Sequence, residues 1–199
     1  MLNFKNFNVA DWFSFYRIAA APILIVLLIY KQELFFTWFL LFSFCTDAVD
    51  GYLAKKLKIT SDRGSQLDSL GDQITFIVSL LGLWVFEPSF IKQNITLILI
   101  AFIPYGLQML MAYLKYGKAT AFHTYLAKFS AILQASFILI SLFFVPYYPL
   151  FYGMLIIGLL ETIEEIILIL MYDHWASNIK GIFCALKDKR RTSNTNASK

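Results

Sequence analysis

The residues best suited to chemistry lie between positions 47 and 72: Asp47, Asp50, Gly51, Ala54 and Lys55, then Gly64, Asp68, Gly71 and Asp72. Positions 47, 50, 51 and 54 follow the i, i+3, i+4, i+7 spacing of one helix face. Positions 64, 68, 71 and 72 repeat such a face on a second helix. The basic stretch between them, with Lys55, Lys56, Lys58 and Arg63, reverses the chain, so the two faces can meet. Four carboxylates then converge on a floor of glycine and alanine. Acids crowded at a membrane boundary repel one another and resist desolvation unless a cation compensates them. Oxygen-only ligands select hard cations, Mg²⁺ or Mn²⁺ rather than Zn²⁺. Carboxylates shared from two helices suit a pair of ions about 3.5–4 Å apart, the arrangement used for phosphoryl displacement. The small residues let a bulky ligand lie against the helix backbone, and Lys55 adds a cation that can reach a phosphate. Solvated helix ends balanced by nearby lysines would explain any one of these aspartates, but not four at this spacing with the glycines so placed.

The elements that must hold these residues follow from composition. Of 199 residues, 59% are hydrophobic and only 15% charged, against about 25% charged in a soluble domain. Six apolar blocks run roughly over 14–30, 35–53, 67–86, 91–114, 126–145 and 150–171, and a membrane helix needs ~20 such residues. An all-α integral membrane fold with six transmembrane helices is expected. Pro22 and Pro104 fall inside blocks, where neighbouring helices can tolerate them; Pro88, Pro146 and Pro149 fall in the gaps and are expected to end helices. No cleavable signal peptide and no internal repeat are apparent.

Basic residues lie at the start (Lys5, Arg17), after the second block (Lys55, Lys56, Lys58, Arg63), after the fourth (Lys115, Lys118, Lys128) and after the sixth (Lys180, Lys187, Lys189, Arg190, Arg191), while the other gaps hold few. The positive-inside rule places both termini and these segments in the cytoplasm. The net charge of +4 is therefore a membrane-surface signal, with lipids and not nucleic acid as the partner. Residues 1–186 read as one six-helix domain and 187–199 as a basic, disordered cytoplasmic tail. Cys45 and Cys184 are far apart in the chain and on the reducing side, which argues against a disulfide. Asn94-Ile95-Thr96 matches a glycosylation sequon, a weak three-residue signal.

With these residues in view, the stretch resembles the signature of the CDP-alcohol phosphotransferases, D-x2-D-G-x2-A-R-x8-G-x3-D-x3-D. Asp47, Asp50, Gly51, Ala54, Gly64, Asp68 and Asp72 match, and Lys55 stands where the family usually has Arg. That exchange keeps the charge but loses the planar two-pronged donor. Asp11, Ser14, Arg17 and Pro22 resemble a further family segment, N-x-x-T-x-x-R, with two conservative differences. The resemblance implies that Asp47, Asp50, Asp68 and Asp72 hold two divalent cations, Mg²⁺ or Mn²⁺. It implies that Gly51, Ala54 and Gly64 accept the CDP moiety with Lys55 near its diphosphate, that Asp72 is the general base for the acceptor hydroxyl, and that the chain forms a homodimer. The active site would lie at the cytoplasmic face, of the cell inner membrane if the source is bacterial.

Other residues have bland readings beside functional ones. Arg17, Lys118 and Lys128, with Lys115, can hold an anionic acceptor or snorkel to lipid phosphates. His123 and Thr124 can line an acceptor pocket or cap the fifth helix. Trp175 and His174 suit the membrane interface. Glu161, Glu164 and Glu165 lie inside the sixth block on one face and need a polar cavity or a cationic partner such as Lys128 or Arg17.

The function this supports is phosphatidyl transfer from CDP-diacylglycerol to a small polar alcohol, glycerol 3-phosphate or an inositol compound, with release of CMP. The alternative within the family is a CDP-choline or CDP-ethanolamine donor acting on diacylglycerol. From another class, buried acids can serve a divalent-cation or proton transporter. The aspartates cluster at one end, however, with none along the outer half as a pathway would need. A scaffold role leaves the ligand-like spacing without a reason.

Overall fold

The computed structural model describes residues 9–56, 62–120, 122, 124–176, 179–182 and 184–186; within these, the side chains of 9–14, 47–48, 50–56 and 62–68 are outside the description. The described residues are helical, with no strand. The helices are α1 (Val9–Ile29), α2 (Glu33–Lys56), α3 (Asp62–Phe86), α4 (Pro88–Tyr116), α5 (Tyr125–Phe143) and α6 (Tyr148–Met171). Each contains one of the six apolar blocks. Ser69–Phe86, Pro88–Tyr116 and Tyr125–Phe143 are long and apolar enough to cross a membrane; Phe15–Ile29 and Glu33–Thr46 are shorter apolar stretches. α6 is of similar length but carries Glu161, Glu164 and Glu165. The outward residues of α4, among them Leu99, Ile100, Ile103, Leu107, Leu110 and Leu114, are exposed, and so large an apolar surface needs a lipid or protein cover.

Helix ends follow local chemistry. α1 stops in a Schellman turn: Lys31 takes the left-handed conformation at φ 53°, its N–H bonds the Leu28 carbonyl at 3.0 Å and that of Gln32 the Leu27 carbonyl at 2.9 Å, which satisfies carbonyls the helix leaves open. Pro22 and Pro104 lie within α1 and α4. α3 stops at Phe86 before Pro88 and α5 at Phe143 before Pro146, as expected; Pro88 and Pro149 also occupy the first turns of α4 and α6, where a proline's missing N–H costs nothing. Beside Pro88, burial and then the neighbouring Glu33 hold the Glu87 carboxyl above the usual carboxylate range. Asn94 is buried and its amide donates to the Phe90 carbonyl at 2.9 Å, so the sequon is not presented for modification. Cys45 and Cys184 are free.

The chain divides into two compact units, Met1–Ile95 with Ala135–Phe151, and Thr96–Gln134 with Tyr152–Lys199. In the first, α1 packs on α2 and α3, and α2 on α3. Gly82 gives the closest approach: a Cβ there would stand 2.4 Å from Phe36 Cε1, and the fully buried Phe36 ring also meets Phe86 with centroids 5.5 Å apart. Phe90, Phe137 and Phe151 form an aromatic cluster at centroid distances of 5.0–5.6 Å. In the second unit, Ala112, Phe122, Leu168, Ile169 and Ala185 form the core.

Candidate active site

All the motif positions belong to the first unit. Asp47, Asp50, Gly51, Ala54 and Lys55 lie on α2, and Gly64, Asp68, Gly71 and Asp72 on α3. These helices pack together and are joined by 57–61. Asp50 and Asp68 each lie six residues from the helix end nearest that connection, and Asp47 and Asp72 nine and ten. At ~1.5 Å rise per residue, the four positions form two levels, about 9 Å and about 14 Å from those ends. The side chains of Asp47, Asp50, Lys55 and Asp68 are among those not described. Among the described residues no group of three or more His, Cys, Asp or Glu is placed to hold a metal.

Asp72 is described, and its surroundings differ from the sequence expectation. Its carboxylate is half-exposed (45%) and pairs through Oδ1 with Nη1 of Arg17. The Arg17 side chain is 1% exposed, set eight residues into α1 at the α1–α3 contact. A guanidinium this deep requires a carboxylate or equivalent acceptors. The sequence reading gave Arg17 an anionic acceptor or the α6 glutamates and took the motif aspartates as already compensated by metal. The pairing with Asp72 could have been sought in the sequence, since an arginine in an apolar block must find an acid, and Asp72 sits deepest of the four.

The remaining candidates lie in the second unit. Lys118 stands over the Trp175 ring, 3.8 Å from its centroid, while Trp175 donates to the Ala119 carbonyl at 2.9 Å. Lys115 donates to the Ile169 carbonyl at 2.7 Å, in the last turn of α6. Lys128, in the first turn of α5, is exposed with its ammonium 5.7 Å from the Tyr125 ring. His123 is outside the described residues. Thr124 caps α5, its Oγ1 accepting the Ala127 N–H at 3.0 Å as an N-cap does, and donating to Glu164 at 2.7 Å.

Glu164 and Glu165 of α6 draw neutral donors, the polar surroundings that the sequence offered as one alternative. Glu165 Oε2 accepts from Gln108 at 2.6 Å and Thr120 at 2.8 Å, and Gln108 is 2% exposed. Glu164 also accepts the Ile182 N–H at 3.3 Å. These bonds hold α4, the segment before α5 and the segment after α6 against one helix.

The site's geometry can be set beside known proteins. The family model of the CDP-alcohol phosphatidyltransferases matches residues 7–172. The chain belongs to this family. Family membership and three helices long and apolar enough to cross a bilayer make it an integral membrane protein. Among curated proteins, it is similar to the cardiolipin synthase (CMP-forming) / mitochondrial hydrolase fusion protein of Schizosaccharomyces pombe, 36% identical over 67 residues. That match covers 34% of this chain and 11% of the fusion protein, so the chain spans about a tenth of that relative's length. No solved structure matches it significantly.

Proposed function

We propose that this member of the CDP-alcohol phosphatidyltransferase family moves a phosphatidyl group from CDP-diacylglycerol to a small polar alcohol and releases CMP. The observation that carries the proposal is the placing of four aspartates at two matched levels on the packed helices α2 and α3, with Asp72 held by Arg17. The relative named as a CMP-forming cardiolipin synthase supports a reaction in which CMP leaves. Glycerol 3-phosphate or an inositol compound is favoured as acceptor because basic residues surround the cytoplasmic ends of the proposed six spans.

The donor set fits a hard divalent cation: the motif offers carboxylates alone, and the Asp72 side chain is half-exposed although paired with Arg17. Asp47, Asp50, Asp68 and Asp72 would hold two Mg²⁺ or Mn²⁺ ions, which when bound neutralise the charge on the donor's diphosphate. Gly51, Ala54 and Gly64 leave room for the CDP moiety against the backbone, and Lys55 contributes a positive charge to its phosphates. Arg17 fixes the Asp72 carboxylate through one oxygen. Asp72 takes the proton from the acceptor hydroxyl; the oxygen attacks the phosphorus bearing diacylglycerol, the bond from that phosphorus to the bridging oxygen breaks, and CMP departs with the electron pair. Arg17 is the residue proposed to serve the acceptor, through its contact with Asp72. In this reading the enzyme works as a homodimer, with its site at the cytoplasmic face.

The test is CMP release by the purified chain in lipid vesicles, given CDP-diacylglycerol, Mg²⁺ or Mn²⁺, and a panel of alcohols, with product lipids separated so that cardiolipin would be seen. Release that depends on one alcohol supports the reading. Divalent-cation or proton flux without any nucleotide release would favour a transporter instead.

A further inference from the structure

α2 carries a buried hydroxyl one turn deeper than its first motif aspartate. Ser43 is 1% exposed, and its Oγ has no hydrogen-bond partner among the described residues. Helical serines and threonines commonly discharge the hydroxyl onto a carbonyl three or four residues back. Thr37, Ser79, Ser141 and Thr162 do so here, at 2.7–2.9 Å. Ser43 does not, although its own carbonyl accepts the Thr46 hydroxyl at 2.8 Å. A hydroxyl kept in this state at a depth where water is scarce is a standing cost, and local backbone chemistry offers no reason for it.

Its position does. Residue 43 lies four before Asp47 and seven before Asp50, so it continues the face of 47, 50, 51 and 54. Side chains four apart on a helix stand ~5–6 Å apart at Cβ and lean towards the preceding turn. Position 47 is therefore one turn above the Ser43 hydroxyl on the same helix face. We infer that Ser43 is a positioning residue of the divalent-cation site: its Oγ–H donates to the Asp47 carboxylate and fixes which oxygen is turned to the ion. The inference rests on the reading of Asp47 as a metal ligand. Carboxylate ligands are generally held by a hydrogen bond from outside the coordination shell, and losing one typically weakens metal binding about 10- to 100-fold.

The experiment uses the full chain in detergent, stripped with chelator and titrated with Mn²⁺, and reads the metal-induced rise in melting temperature, which needs no catalysis. Ser43→Ala should need about tenfold more Mn²⁺ for half the rise, with the metal-free melting temperature unchanged or higher because an unpaired hydroxyl is gone. Ser43→Thr, which keeps the hydroxyl, should recover most of the lost affinity. In CMP release, Ser43→Ala should show the same increase in metal requirement, with the donor KM at saturating metal unaltered. An unchanged Mn²⁺ midpoint in Ser43→Ala overturns the role. Asp47→Asn separates this from the reading beneath it. If Asp47→Asn abolishes the response and Ser43→Ala keeps it whole, only Ser43 is misassigned; if Asp47→Asn responds like the wild type, the metal assignment of Asp47 fails and takes the inference with it.

Discussion

A buried arginine, Arg17, holds the Asp72 carboxylate. If Asp72 is the base, as proposed, it is worth ~10²–10⁴-fold in rate, so Asp72→Asn is expected to lose most turnover while donor affinity falls less than in Asp47→Ala or Asp50→Ala. Near-normal CMP release by Asp72→Asn would remove Asp72 from that role. The Arg17 contact adds a second, separable expectation. Hydrogen bonds to charged groups contribute about 1.5–3 kcal/mol, and half-exposure of Asp72 puts this one near the lower bound. Asp72→Asn should thus lower thermal stability by weakening the hold on a guanidinium that is 1% exposed. Arg17→Gln should cost both stability and kcat. Because the two side chains touch, their effects should not add: the Arg17→Gln, Asp72→Asn double mutant is expected to be more stable than the sum of the single losses. Strict additivity in thermal unfolding would mean that the pair contributes nothing in solution. A third arm concerns the acceptor. If Arg17 acts through Asp72, Arg17→Gln lowers kcat at constant acceptor KM, whereas direct acceptor binding raises that KM.

Hydropathy blocks located the helices at the scale of elements and missed their ends for definite reasons. α2 runs to Lys56 and α3 starts at Asp62, because backbone hydrogen bonding continues after the apolar pattern stops, through the turns that carry Asp50, Gly51, Ala54 and Gly64. Pro88 marks the end of α3 but, like Pro149, also stands in the first turn of the next helix, where a proline is equally at home. The motif aspartates were legible because their spacing is local. The Arg17–Asp72 pair spans 55 positions, and the Gln108–Glu165 bond 57; such partners depend on how helices pack, which periodicity does not specify. Gly82 is another residue whose meaning appears only in the packing. A Cβ at 82 would come within 2.4 Å of the buried Phe36 ring, so Gly82→Ala must push the ring off its place between α2 and α3. Overpacking of this kind costs about 1–3 kcal/mol. Gly82→Ala is expected to melt earlier, and Phe36→Leu added to it should restore part of the loss. An unaltered melting temperature in Gly82→Ala would mean that α2 and α3 part easily at this level, and the matched depths of the aspartates above it would then be loosely held.

The whole molecule must present its aspartates on the side of the membrane where the CDP-linked donor is met, and charge predicts that side. Lys55, Lys56, Lys58 and Arg63 lie at or in the connection between α2 and α3, Lys115 is in the last turn of α4 with Lys118 just after it, and Lys180 follows α6, whereas the α3–α4 junction holds Glu87 and the α5–α6 corner no charge. Acidic residues contribute little to orientation, so the lysines and arginines decide it. Each helix would cross once, α1 and α2 included. Six crossings return the chain to the side from which it began. Cysteine accessibility in intact cells tests this directly. Cys45 and Cys184 are exposed, so both must first become serine, in a background that still releases CMP. Ser89→Cys beside Pro88 and Tyr147→Cys beside Pro146, both exposed positions, should then react with a membrane-impermeant maleimide. Lys58→Cys should react only after the cells are opened. Labelling of Lys58→Cys from outside, at the rate seen for Ser89→Cys, would invert the topology. The carboxylates of α2 and α3 would then face away from the cytoplasm, and the donor would have to be supplied there. A span missing between 89 and 147 would place those two sites on opposite faces, since α4 and α5 together bring the chain back only if both cross.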